Sequence, residues 1–311
     1  MLSTLPRVLI TGGSGLLALN WAWSIRGSAD IFLGIHAHKV DLPCDRIQTL
    51  KLDLDSTEKL LEEIRLLKPD VIIHTAGLTN VDRCEKNPTL ANRVNAVLSR
   101  NVAMVASCEN VDLIHISTDH LFSGKKSMYK ESDAVQPLNA YGVSKYTAEK
   151  WVQEIYPRSL IIRTNFFGWG HKKRHSFSDW ILRSLNAGDS LSLYDDINFT
   201  PILADALARA SMKLLNMGAS GIFNVVGDER ISKYEFGVEL AKYFGFSYTA
   251  IEQSKISQSG QTVSRPQDMS LDNSKAKKQL GYDLGTIESF LFELKQQQQQ
   301  GRPDVFFNAV S

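Results

Sequence analysis

Short runs of β-branched and aliphatic residues alternate with longer stretches of helical periodicity through the first half of the chain. The runs are RVLIT at 7–11, IFLGI at 31–35, TLKL at 49–52, DVIIH at 70–74, DLIHIS at 112–117 and LIIRT at 160–164. Apolar runs without polar alternation read as strands buried on both faces, and therefore as a parallel sheet. Between them, Leu60, Leu61, Ile64 and Leu67 form one apolar stripe, and Asp55 with Glu58 reads as a capping box that starts this helix. Asn87 followed by Pro88 opens a second helix expected to reach Ser107, and 138–155 reads as a third. Alternation of this length predicts an α/β chain with a doubly wound parallel sheet.

The rhythm fails after Thr164. The stretch NFFGWGHKKRHSFSDW is aromatic and basic, and later elements are irregularly spaced: a strand-like GIFNVVG at 221–227 and a helical KYEFGVELAKYFG at 233–245. The expected organisation is a sheet domain over 1–165 and a smaller lobe over 166–311, with parts of 197–230 packing back onto the first. Gln296 to Gln300 reads as the solvated end of a last helix.

Composition narrows the setting without choosing a chemistry. The 311 residues are 43% hydrophobic and 22% charged, with a formal net charge of +1, so nothing draws the chain generally to nucleic acid or anionic membrane. Cys44, Cys84 and Cys108 form neither a disulfide framework nor a CxxC pair, which points to a reducing, cytoplasmic setting. The N-terminus MLSTLPRVLITGGSG breaks into glycines with no leader pattern, and no apolar stretch approaches a membrane span. No His, Asp and Glu cluster has metal-ligand spacing.

The first strand runs into TGGSGLLALN. Gly13, Gly15 and Ala18 fit G-x-G-x-x-G/A, and Gly12, Gly15 and Ala18 fit a looser register of the same turn. Glycine permits the turn, Gly15 lets backbone amides (those of Leu16 and Leu17 follow) approach a pyrophosphate, and a small residue at 18 packs helix on strand. Strand, glycine turn and helix together predict a Rossmann dinucleotide site. Near the end of the second strand, where a carboxylate would bind the ribose 2′-hydroxyl, the chain has His36, His38 and Lys39, which suits a 2′-phosphate and hence NADP(H) over NAD(H). Asp53 and Leu54, past the third strand, could meet adenine, Asp53 alternatively helping to start the next helix.

In ISTDHLFSG, Ser117, Thr118 and Asp119 follow a buried strand and fall at the carboxyl edge of the sheet, where open α/β folds bind ligands. The next helix, in NAYGVSKYTAEKW, offers Tyr141 with Lys145 and Tyr146 with Lys150, each pair one helical turn apart. The second pair is rotated by roughly 140° from the first. Tyr141 and Lys145, at the start of the helix, can face the ligand edge; Tyr146 and Lys150 read as packing and surface charge. An ammonium beside a phenol is expected to lower its pKa toward the working pH.

TGGSGLLA, HTAGLTNVD, ISTDHLFSG, PLNAYGVSKYTAEK, IIRTNFFG and RPQDMSLDNSKAKKQLG occur in the order found in extended short-chain dehydrogenases/reductases. The chain most resembles the dTDP-4-dehydrorhamnose reductases and related nucleotide-sugar carbonyl reductases, from about residue 6 to residue 285. That resemblance implies a keto-sugar reductase with Tyr141 as general acid, Lys145 as its partner and ribose anchor, and Thr118 orienting the carbonyl. It further implies that Ala76 and Gly77 pass the cofactor, that Thr79 lies close to substrate and that Arg265 meets the substrate diphosphate. The basic HKKRH at 171–175 could meet that diphosphate too. His120 stands where these reductases have tyrosine, and Phe166, after Asn165, where they carry tryptophan; with Asp119 these are the expected sugar-lining positions. His74 and His115, inside apolar strands, read as satisfied core residues. A homodimer is the assembly implied. Two alternatives remain open: an NAD-retaining nucleotide-sugar epimerase or dehydratase, and a non-catalytic cofactor-binding regulatory subunit such as the beta subunit of methionine adenosyltransferase.

Overall fold

The computed structural model describes residues 5–258, 260 and 263–311. Seven parallel strands form its sheet: β1 (Arg7–Thr11), β2 (Asp30–Ile35), β3 (Ile47–Lys51), β4 (Val71–His74), β5 (Asp112–Ile116), β6 (Leu160–Arg163) and β7 (Gly221–Asn224), in the order β7-β6-β5-β4-β1-β2-β3. The order reverses between β1 and β4, which opens the crevice where such sheets hold ligands. Helices cover both faces, so β1, β4, β5 and β6 are almost wholly buried, as the unbroken apolar runs predict. β3 departs from that expectation. As an edge strand it leaves Gln48, Thr49 and Lys51 exposed.

Several boundaries move for local reasons. The helix α1 (Leu16–Ile25) starts at Gly15, and α2 (Thr57–Leu67) is capped by Ser56, whose hydroxyl accepts from the Lys59 amide at 3.3 Å. Asp55, the expected cap, instead pairs with Arg93 at 2.9 Å. Asn87 does cap Pro88–Asn92, its side chain accepting from the Leu90 amide at 3.0 Å, but the helix then widens into a π-turn at Arg93–Val97 before continuing as α3 (Leu98–Glu109). The helix α4 (Ala140–Ile155) is capped by Asn139. Gln296 to Gln300 do not end the last helix: Ile287–Gln299 is followed by Arg302–Ala309, and Gln297 is buried.

The chain after 165 does not build a separate core. β7 joins the main sheet beside β6, and the helix Ala204–Asn216 packs against α1. One apolar cluster runs from Val8, Trp21 and Ile31 through Phe167, Phe199 and Phe236 to Leu294 and Phe306. Trp21 and Phe306 are fully buried, each contributing about 2–3 kcal/mol of transfer free energy. Among the described residues no helix is long and apolar enough to cross a membrane, and no group of three or more His, Cys, Asp or Glu could hold a metal. The three cysteines are free thiols.

Candidate active site

The glycine turn forms because two backbones pass too close for side chains. Gly12 has φ +68°, and a Cβ there would lie 2.7 Å from the Ala76 backbone; at Gly13 it would lie 2.7 Å from Leu33 Cβ. The Gly13 amide bonds the Gly34 carbonyl at 2.9 Å and that of Gly15 bonds Gly12 at 2.7 Å, which fixes the turn at the mouth of α1. No side chain caps α1 and its first turn carries no acid, so its N-terminal amides and positive dipole face the crevice. A cradle that excludes Cβ atoms and leaves a helix N-terminus uncapped fits a dinucleotide pyrophosphate.

Thr118, Tyr141 and Lys145 line the same cleft as Gly15, Leu16, Leu17 and Gly77, a space of about 1070 Å³ including the part open to solvent. Asn139 sets this up: its side chain accepts from the Gly142 amide at 2.9 Å and donates to the Ser264 carbonyl at 2.9 Å, anchoring the start of α4. Gly142 then packs directly on the loop after β5, where a Cβ would lie 2.5 Å from the His120 carbonyl. Tyr141 is thereby held against that loop, and its ring meets His120 edge-on at 5.5 Å.

The electrostatics reverse one expectation. Burial pushes the Tyr141 phenol up from its ordinary value, opposed by the neighbouring Thr118 hydroxyl, whereas a lowering by Lys145 was expected. Desolvation dominates, and the Lys145 ammonium is engaged elsewhere, donating to the Ile116 carbonyl at 2.6 Å. Burial also pulls Lys145 down to about 8, with Glu149 acting the other way. Thr118 Oγ1 donates to Asp119 at 3.2 Å and accepts from the His120 amide at 3.2 Å, so it is fixed in place. Asp119 is buried and accepts from Asn165 Nδ2. Burial lowers the His120 pKa, Asp119 opposing, and His120 Nδ1 has no partner among the described residues.

Thr79, Asp119, His120, Asn165 and Phe166 line the cleft beyond Tyr141. His120, Asn165 and Phe177 connect it to an adjoining chamber walled by Trp180, Tyr194 and Met269, which Arg265 and Lys233 also line. Arg265 is paired with Asp82 at 2.7 Å. Lys233 was not foreseen. Its ammonium lies 3.3 Å from the Phe199 ring centroid and 4.7 Å from that of Phe177, with no carboxylate pair among the described residues, and burial lowers it to about 8. The signal was present: a lysine directly after the helix cap Ser232 sits at the positive end of the dipole, where cations are disfavoured unless an anion comes to them.

Other expected positions lie outside this space. His36, His38 and Lys39 are exposed past the end of β2. Asp53 is occupied locally, accepting from Lys59 at 3.2 Å and the Asp55 amide at 3.1 Å, with Leu54 half-buried beside it. Ala76 lies against Gly12. Tyr146 packs on the Leu121 and Phe122 cluster with Lys150 over its ring at 5.0 Å, away from the cleft. His74 is satisfied by Thr11 at 2.7 Å and Ser99 at 3.0 Å. His115 corrects the expectation of satisfied histidines: it stacks on His74 at 5.5 Å, but neither ring nitrogen has a partner among the described residues.

Comparison with known proteins identifies the family. The family described as RmlD substrate binding domain matches residues 6–299. A probable low-salt glycan biosynthesis reductase, Agl14, from Haloferax volcanii is 31% identical over 292 residues, covering 92% of this chain and 96% of that one. The dTDP-4-dehydrorhamnose reductase of Escherichia coli is 32% identical over 190 residues, 59% of this chain and 63% of its own. The dTDP-4-dehydrorhamnose reductase of Bacillus anthracis, solved with NADP, superposes with a TM-score of 0.83 at 24% identity, covering 94% of this chain and 100% of that one. The chain therefore belongs to the RmlD substrate binding domain family, within the extended short-chain dehydrogenase/reductase fold.

Proposed function

We propose that the protein reduces a keto group on a nucleotide-linked sugar, as the dTDP-4-dehydrorhamnose reductases among its relatives are named for doing, with NADP(H) preferred as cofactor. The observation that carries this reading is one cleft with a pyrophosphate cradle at one end and a buried hydroxyl, phenol and ammonium at the other. A bound dihydronicotinamide supplies the hydride to the carbonyl carbon. Thr118, turning its one hydroxyl proton from Asp119 to the substrate, holds the carbonyl oxygen beside Tyr141, which donates its phenolic proton to that oxygen as negative charge develops there. Burial keeps the phenol protonated until the oxyanion calls for the proton, and this suits reduction. Lys145, held by the Ile116 carbonyl, keeps its remaining N–H donors for the nicotinamide ribose. Residues after 165 form the substrate lobe, where Lys233 and Arg265 flank the phosphates and Phe177, Trp180 and Tyr194 supply ring faces for a base.

NADPH oxidation against a panel of nucleotide-linked 4-keto-6-deoxy sugars tests this reading, with NADH in parallel. Wild type is expected to consume NADPH with at least one sugar, and Tyr141→Phe to lose about 10²–10⁴-fold in kcat. Tightly held NAD with no net NADPH consumption would instead favour the epimerase or dehydratase reading. Full activity in Tyr141→Phe would remove the phenol from the mechanism.

A further inference from the structure

Of the basic stretch at 171–175, a candidate for the substrate's diphosphate, Arg174 and His175 line the cleft with Thr79 and Tyr141, whereas Lys173 reaches the loop after β2. The backbone of the stretch closes a tight turn, with the His171 amide on the Arg174 carbonyl at 2.9 Å and the Arg174 amide on the His171 carbonyl at 2.8 Å. Gly170 makes the turn possible, because a Cβ there would meet the Arg174 carbonyl at 2.4 Å. Two anchors fix its direction. The His171 ring is buried beside Ser14 of the glycine turn, and burial pulls its pKa down to about 4, so a neutral ring packs there. The Lys172 amide reaches the Phe307 carbonyl of the helix Arg302–Ala309 at 3.4 Å.

The turn thus forms a strap anchored on the glycine turn and on the helix Arg302–Ala309. Arg174 Nη2 donates to the Thr79 hydroxyl on the substrate side. On the other side Lys173 Nζ comes within 3.3 Å of His38 Nδ1, a contact between residues 135 positions apart. Neither Lys173 nor His38 has a carboxylate partner among the described residues, although both are exposed and free to find one. His36, His38 and Lys39 follow β2, whose end is where a Rossmann site meets the adenosine ribose, and no acid stands between 36 and 40. The His36–Val40 loop is itself pinned by the chain's far end, through the bridge of Val40 to Val310 and the Ser311 amide on the Lys39 carbonyl at 3.1 Å.

Resting on the reading that the cofactor is NADP(H), we infer that Lys173, delivered by this strap from the second half of the chain, reads the cofactor's 2′-phosphate together with His38. A phosphate dianion can accept charge-assisted bonds from both nitrogens at once, whereas a bare 2′-hydroxyl offers the ammonium one neutral oxygen and no charge to pair with. Discrimination between the two cofactors is then a joint property of both halves, and it is absent from the β2 loop alone.

The test is equilibrium binding of NADPH and NADH, followed by nicotinamide fluorescence, with 2′,5′-ADP and AMP as probes lacking the nicotinamide. Lys173→Ala is expected to weaken NADPH and 2′,5′-ADP by about tenfold, leaving NADH and AMP within about twofold. His38→Ala should act alike, and the double variant should lose less than the product of the two single losses. Lys172→Ala, which removes a neighbouring charge on the same turn, should change little. Wild type binding both cofactors equally would overturn the NADP(H) reading and the strap's role with it. A preference kept intact in Lys173→Ala would overturn the strap's role alone, as would equal weakening of both cofactors.

Discussion

At the residue scale the site is governed by what burial does to two ammonium groups. Lys145 and Lys233 are both pulled down to about 8, and in each case desolvation is the main cause. The consequences for activity and stability run in opposite directions. As pH rises through about 8 the folded protein loses these charges, so kcat/KM is expected to fall, about tenfold per pH unit where one group governs the limb. Unfolded lysines keep their protons to about 10.5. Between about 8 and 10.5 the unfolded chain therefore binds more protons than the folded one, and stability contributed by these groups increases with pH. Below about 8 that contribution is absent, because the folded protein must hold a buried charge at Lys145 and a partly buried one at Lys233. Lys233→Met separates the two residues: the alkaline limb of kcat/KM should persist through Lys145, while the rise in urea midpoint from pH 7.5 to 9.5 shrinks. An unchanged rise in the variant would take Lys233 out of the account.

At the element scale, α4 works because Gly142 lets it touch the loop after β5. Alanine is ordinarily the better helix former by about 1 kcal/mol. Here its Cβ would sit 2.5 Å from the His120 carbonyl and 2.8 Å from Pro137 Cβ, contacts with backbone and ring that cannot swing aside. Gly142→Ala is therefore expected to cost about 1–3 kcal/mol of stability, and to lower kcat by about tenfold or more as Tyr141 is pushed off Thr118. Val143→Ala, one residue on and exposed, should do neither; a stabilised Gly142→Ala enzyme of full kcat would contradict the packing argument. The same elements show what was legible in the sequence. Buried parallel strands announce themselves because neither face tolerates polar residues, and Tyr141 with Lys145 could be told from Tyr146 with Lys150 by helical phase. β3 was misjudged because an edge strand has only one neighbour to cover it. Asp55 lost the cap to Ser56 because its carboxylate had Arg93, 38 positions away, to pair with. Lys233 left a local trace in its place directly after the Ser232 cap, but the chamber it enters and the direction of the strap depend on packing between distant segments, of which local pattern carries no record.

At the scale of the whole molecule, the second half is sewn into the first. The buried pair of Arg302 and Asp205, at 2.6 Å, ties the helix Arg302–Ala309 to the helix Ala204–Asn216, which itself packs on α1. Burial raises the Asp205 pKa against the pull of Arg302, so the carboxylate depends on its partner. Arg302→Met leaves that carboxylate buried and unpaired, and should cost about 3–5 kcal/mol near neutral pH. Because the apolar cluster runs unbroken from β1 to Phe306, the loss should not stay in the C-terminal part. Trp21, Trp23 and Trp151 report on the first half, Trp169 and Trp180 on the second. Their combined fluorescence and the far-ultraviolet circular dichroism should trace one coincident urea transition in wild type, and one in the variant at lower midpoint. Two separated transitions would mean that the lobes fold independently. The strap would then be a contact between domains free to part, and cofactor discrimination would vary with their separation.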